Sequence, residues 1–215
     1  MFQTRKQLVL ASASPRRRDF LDMLGLTFTI IPANIDETRD ADERPIDYVS
    51  RMARLKATDV GIRYPSAWVI SADTIVILDN FILTKPITEE DAVKTLMILS
   101  GKVHEVNTGF CLHCHDTDTT IEQCTSTSVR FTEFDECLAR AYVSTNEPMD
   151  KAGAYGIQGI GGALVESISG SYSNVVGLPL AEIVALLTRY RIIEPMEKES
   201  ADLNEINKAG LNQEW

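Results

Sequence analysis

Asp73 is the residue in this sequence that packing explains least well. It interrupts an apolar run from Val69 to Leu78, where a charge is costly unless it is paired or bound to a metal. Period-two counting along a strand puts Asp73 on the same face as Ser71, Ile75 and Ile77, with Thr74 facing the other way unless a bulge intervenes. A carboxylate at the end or kink of such a strand can orient a water or hold Mg²⁺. The plainer alternative is a strand-end aspartate that accepts from backbone N–H groups.

Cationic residues occur where they can serve such a carboxylate. Ser14-Pro15-Arg16-Arg17 follows an apolar stretch and reads as an N-cap with proline at the first helical position. A helix N-terminus offers free N–H groups and the positive end of the dipole, which suits a phosphate. Arginines there are disfavoured by that dipole, and a bound anion resolves the conflict; a solvated basic turn is the alternative. Lys56 shares the apolar face of a helix with Val49 and Ala53, and such a lysine usually snorkels from the edge of that face. Lys85, before Pro86, lies in an extended segment and by itself is an ordinary loop lysine. Asp36-Glu37, in an acidic loop, can supply a second metal ligand, although loop carboxylates are mostly solvated. The glycine-rich 153–162 stretch, GAYGIQGIGG, matches neither a Walker loop nor a dinucleotide fingerprint. Within it Gln158 offers a donor and an acceptor side by side, a match for the edge of a uracil or thymine ring; a plain surface glutamine is the alternative.

The elements that must position these groups are legible in outline. Strands are expected over 7–12, 27–32, 67–78, 81–83, 104–114, 121–131 and 163–168. Helices are expected from Pro15 to about Leu24, ended by Gly25, and from Pro45 to about Tyr64. A third opens at a capping-box pattern, Thr88-Glu89-Glu90-Asp91, and runs to about Ser100-Gly101. A fourth, capped by Thr132, runs to about Thr145, and a fifth over 174–190 is broken or started at Gly177-Leu178-Pro179. Early alternation of strands and helices with a hairpin in the middle predicts an α/β fold with a mixed central sheet flanked by helices.

Composition bounds the function. The chain has 215 residues, 44% hydrophobic, and a formal net charge of −10. That is enough for a real core in one domain or two joined lobes, and so acidic a surface argues against a nucleic-acid partner. Arg5 and Lys6 before Leu8–Leu10 faintly mimic a signal peptide, but the apolar stretch is too short and arginines follow it. No run approaches the roughly 20 apolar residues of a membrane span, so no membrane partner and a cytoplasmic location are expected. The cysteines, Cys111, Cys114, Cys124 and Cys137, do not suggest a disulfide scaffold. Cys111-x-x-Cys114, with His113 and His115 beside it, falls on opposite faces of a strand and is a poor zinc or redox pair. Residues 1–192 are expected to form the domain, and 193–215 a polar tail, mobile at least from 195.

ASASPRR at 11–17, SADTIV at 71–76, KP at 85–86, DKAGAYGIQG at 150–159 and VVGLPL at 175–180 together resemble the signature blocks of the Maf family, in order, from about Leu8 to Tyr190. The resemblance implies an elongated Maf/ITPase-like fold, two lobes around a deep cleft, often dimeric. It implies a nucleoside triphosphate pyrophosphatase that requires a divalent cation, Mg²⁺ or Mn²⁺. On that resemblance Asp73 is the proton acceptor. Arg16, Thr74 and Gln158 bear on substrate choice. Glu37, Lys56 and Lys85 hold metal and phosphates, with Glu37 and Asp73 as the metal ligands and Ser14 at the phosphate end. The AGAYGIQG of 152–159 is similar to the branch that acts on dTTP and UTP. A branch acting on 7-methyl-GTP or a modified nucleotide is the rival within enzymes, and a non-catalytic nucleotide-binding regulator of cell division is the rival outside them. The CLHCH stretch of 111–115 and the C-terminal tail are not part of the family pattern.

Overall fold

The apolar run ending at Leu78 becomes the strand around which the molecule is arranged. In a computed structural model, which describes residues 1–196, the chain order is β1 (Phe2–Thr4), β2 (Leu8–Leu10), α1 (Pro15–Met23), β3 (Thr29–Ile30), α2 (Pro45–Arg63), β4 (Trp68–Leu78), β5 (Phe81–Leu83), α3 (Glu89–Leu99), β6 (Val103–Cys114), β7 (Thr119–Phe131) and α4 (Glu136–Val143). Three 3₁₀ turns then lead to β8 (Val165–Ser169), α5 (Tyr172–Val176), α6 (Leu180–Arg189) and β9 (Ile193–Pro195). The seven-stranded sheet has the order β3-β2-β4-β6-β7-β8, with β5 also on β4. β2 runs parallel to β3 and β4, whereas β5 and β6 are antiparallel to β4. The sheet is therefore mixed, as the pattern of elements predicts.

β4 and β6 are long enough to run through both lobes, and their even-numbered face shows how the lobes divide. Ile70, Ala72, Phe110 and Leu112 pack against α1 and α6 in one apolar cluster. Val76, Leu78 and Val106 pack against α3 and α4 in another. Between the two clusters that face carries Thr74 and Thr108, which oppose each other across the ladder. A core cannot continue through paired hydroxyls without satisfying them, so the apolar layer breaks there and a cleft opens. α2 covers the odd-numbered face through Ala53, Ala57 and Val60 against Val9, Val69 and Cys111. Cys111 and Cys114 do face opposite sides of the sheet, since Cys114 belongs to the α1/α6 cluster. No helix among the described residues is long and apolar enough to cross a membrane.

Several sequence expectations shift. The fourth helix starts at Asp135, whose carboxylate accepts from Leu138 N–H, and not at Thr132. Thr132 instead donates its N–H and its hydroxyl to Leu164 carbonyl, which ties it to the strand side of the junction. The strand expected over 27–32 shrinks to Thr29–Ile30. Ile193–Pro195, expected within the polar tail, pair antiparallel with Phe2–Thr4, and Ile193 is fully buried. These short end strands carry too few residues to show a period and find each other only in space. The expected tail beyond Met196 lies outside the described residues.

Candidate active site

The cleft at the waist has a volume of about 630 Å³. It opens where β4 lacks a neighbour along one edge. β2 pairs with Trp68–Ile70 and β5 with Val76–Leu78, so no described strand pairs with that edge of β4 between Ser71 and Ile75. The β4–β6 register is continuous from Val69 to Ile77. Without a bulge, Asp73 and Thr74 project from opposite faces, as alternation requires. Both nevertheless line the cleft, because at an open edge a cleft reaches both faces of the strand.

Around that edge the structure brings together the side chains singled out above. Ser14, Arg16, Glu37, Lys56, Lys85 and Gln158 all line the same cleft as Asp73 and Thr74. Lys56 does not snorkel to solvent. Its ammonium lies 2.7 Å from Asp73 Oδ1 and 2.9 Å from Glu37 Oε1, and its side chain is only 13% exposed. α2 can bring it there because Gly109, which opposes Asp73 on β6, has no side chain. A Cβ at Gly109 would lie 2.6 Å from the carbonyl oxygen of Val49 and 2.9 Å from Ser50 N in α2. Ser71 adds a hydroxyl donated to the carbonyl of Ala53 on the same helix.

The acidic loop offers Glu37 rather than Asp36. Asp36 Oδ1 accepts from both the N–H and the hydroxyl of Thr38, which holds its carboxyl below the ordinary value and uses it in a local turn. Tyr48 donates to the carbonyl of Glu37 at 3.0 Å, so α2 positions the loop as well as Lys56. Ser14 occupies the N-cap of α1, but its side chain caps nothing. Its N–H donates to Ser12 Oγ. Arg16 lies 3.4 Å from Asp150 across the cleft; that pair is exposed and contributes little. Burial raises the pKa of Asp150, but Lys151 and Arg16 outweigh it and hold the carboxyl below its ordinary value. Lys85 and Gln158 are exposed at the rim.

Arg17, in sequence only one of a basic cluster, is half-buried and fully engaged in hydrogen bonds. It donates from Nε to the carbonyl of Gly177 (2.8 Å), from one terminal nitrogen to Ser12 Oγ (3.1 Å) and from the other to Thr74 Oγ1 (3.0 Å). Burial pushes its pKa below the ordinary value, against the attraction of Asp73. Behind it Thr74 meets Thr108 at 3.0 Å, and Thr108 donates to the carbonyl of the buried Asn174. Thr108 has one proton and spends it on Asn174, so Thr74 is the donor to Thr108. The hydroxyl of Thr74 is left with an acceptor lone pair toward the cleft. The signal for this network was the VVGLPL block: its chemical part is a backbone carbonyl, which side-chain reasoning does not see.

The model for the family described as Maf-like protein matches residues 7–190. The chain belongs to the Maf family. Among curated relatives, a protein of Desulfotalea psychrophila named dTTP/UTP pyrophosphatase is 51% identical over 193 residues, which is 90% of this chain and 99% of that one. A Myxococcus xanthus protein of the same name is 50% identical, over 85% of this chain and 91% of its own. The Maf signature blocks thus converge on one cleft. The segments 11–17, 71–76, 85–86 and 150–159 supply side chains to it, and 175–180 holds Arg17.

Proposed function

We propose that this Maf protein hydrolyses dTTP and UTP to the nucleoside monophosphate and pyrophosphate. The observation that carries the proposal is the meeting of Asp73, Lys56 and Glu37 at the open edge of β4, with Arg16 and Lys85 on the same cleft. The names of the relatives, at about half identity over nearly their full length, supply the substrates. The water's oxygen forms a bond to the α-phosphorus while Asp73 takes its proton, and the bond to the β-phosphate oxygen breaks to release pyrophosphate. Arg16, Lys56 and Lys85 offset the charge that builds on the triphosphate and the departing group. The N-terminus of α1, with Ser14 at its cap, faces the phosphates with free N–H groups.

A divalent cation suits this donor set. Two carboxylates converge to within hydrogen-bonding distance of one ammonium; they are hard oxygen ligands, and Mg²⁺ is commonly held by one or two carboxylates plus substrate phosphates. Asp73 and Glu37 would hold it, and it would supply Lewis acidity and a more acidic water. Gln158, at the rim, would read the pyrimidine edge by paired hydrogen bonds, a mode that rejects mismatched bases strongly. A cytoplasmic homodimer belongs to the same proposal.

The test is product identification. Incubation of the purified protein with dTTP or UTP and Mg²⁺ or Mn²⁺ is expected to yield monophosphate and pyrophosphate in equal amounts, and Asp73→Asn is expected to lower kcat by at least about 100-fold. Orthophosphate and a diphosphate as products would exclude attack at the α-phosphorus. Tight nucleotide binding without turnover under either metal would favour a non-catalytic role.

A further inference from the structure

One carboxylate on the cleft wall has no place in the reaction above, and its contacts explain where Gln158 stands. Glu147 opens the first 3₁₀ turn, Glu147–Asp150. Its Oε2 accepts from Ile160 N–H at 2.8 Å, and its Oε1 from Gly161 N–H at 3.0 Å and from the hydroxyl of Tyr142 at 2.8 Å. Tyr142, buried on α4, in turn accepts from Gly156 N–H at 3.1 Å. The segment that presents Gln158 is therefore held on both sides, at Gly156 through the phenol and at Ile160–Gly161 through the carboxylate.

The glycines of this segment fit the same arrangement. A Cβ at Gly159 would collide with the carboxylate of Glu147, and one at Gly161 with the hydroxyl of Tyr142. The backbone lies directly on the two side chains. Burial raises the pKa of Glu147, but the N–H groups of Gly161 and Ile160 and the Tyr142 hydroxyl outweigh it and keep the carboxyl below its ordinary value. With both oxygens occupied, Glu147 is not a free base for the chemistry.

We propose that Glu147, with Tyr142 as its relay, is the positioning residue of the base-reading loop and sets selectivity for thymine and uracil over cytosine by fixing Gln158 over the cleft. The proposal rests on the reading of Gln158 given above. Without the carboxylate, the N–H groups of Ile160 and Gly161 lose their acceptor and the loop samples other positions. The phosphate end, built from α1, α2 and β4, is untouched.

The experiment compares kcat and KM for dTTP and dCTP in wild type, Glu147→Ala, Tyr142→Phe, Gln158→Ala and the Glu147→Ala/Gln158→Ala double variant, with thermal midpoints and amide exchange at Ile160 and Gly161. In Glu147→Ala the dTTP:dCTP ratio of kcat/KM is expected to fall at least tenfold, mostly through KM, with amide protection lost. Tyr142→Phe, the milder change should Glu147→Ala fail to fold, is expected to lower the ratio about threefold. The double variant is expected to match Gln158→Ala, because a residue that acts through Gln158 has nothing left to position. A ratio preserved in both Glu147→Ala and Tyr142→Phe, or a further fall in the double variant, overturns the role of Glu147 alone. A wild-type protein that cleaves dTTP and dCTP equally overturns the base reading itself, and the positioning role with it.

Discussion

Lys56 shows how a single side chain changes meaning once its neighbours are known. Its spacing with Val49 and Ala53 describes an amphipathic helix residue, and snorkelling accounts for most lysines in that position. Its ammonium is instead committed to Asp73 and Glu37, groups 17 and 19 residues away in sequence, on a strand and in a loop. Removal of this cation leaves two carboxylates facing the triphosphate without a neutralising partner. Lys56→Met is therefore expected to lower kcat/KM for dTTP on the order of 100-fold, the usual cost of losing one electrostatic contact to a developing charge. Pyrophosphate release measured against nucleotide concentration checks this, and a loss of less than threefold would mean that the ammonium only fills space. Thr74 is a second case. Its proton goes to Thr108 and its oxygen receives Arg17, so it meets a ligand only as an acceptor.

At the scale of elements, the site depends on how closely α2 lies against the sheet. The helix rests on β6 at Gly109, where any side chain would strike the backbone of Val49 and Ser50. Backbone cannot yield as a flexible side chain can, so Gly109→Ala must lift the helix or bend the strand. Overpacking of this kind costs typically 1–3 kcal/mol, and a displacement of about 1 Å at a catalytic group can cost about 100-fold in rate. The expected outcome is a lower denaturant midpoint together with a disproportionate fall in kcat, because Lys56 moves with its helix. A variant with the stability loss but normal kcat would show that the helix position is not critical. The capping box of α3 was legible in the sequence and is formed in full by Thr88 and Asp91, since all of its partners lie within one turn. The cap of α4 was misplaced by three residues, because Thr132 is held by Leu164 from a distant segment.

For the molecule as a whole, the lobe built on α3 and α4 contains a pH-sensitive element. His104 is buried, edge-on to the rings of Phe131 and Tyr155, with one nitrogen 2.9 Å from the hydroxyl of Tyr155. Burial pushes its pKa down to about 4. The unfolded chain takes up this proton near pH 6.5 and the folded one only near pH 4, so the contribution is fully present above pH 6.5 and declines as the pH falls through that interval. A shift of this size corresponds to about 3 kcal/mol. His113, also lowered by burial, acts in the same direction. Urea unfolding at pH 7.5 and at pH 5 is expected to show a clear loss of stability at the lower pH. The stability contributed by the depressed carboxylates Glu147 and Asp150 is fully present above the ordinary carboxylate range and is lost only as the pH falls below it. Equal midpoints at the two pH values would contradict a neutral, buried His104.

Local periodicity and short motifs were enough to indicate most of the helices and strands, the mixed sheet, and by type the candidates Ser14, Arg16, Glu37, Lys56, Asp73, Thr74, Lys85 and Gln158 that line the cleft. Those signals are local: a 3.6 or 2 period and a cap lie within a few consecutive residues, and a resemblance in ordered blocks needs no coordinates. What only the tertiary structure decided was which groups touch. The pairing of Phe2–Thr4 with Ile193–Pro195, the grip of Arg17 on the carbonyl of Gly177, the contact of Glu37 with Lys56, and the hold of Glu147 on the N–H groups of Ile160 and Gly161 all join segments that are not neighbours in the chain. Contacts of this kind arise from packing and from the need to satisfy buried polar groups, and neither leaves a periodic trace in the sequence.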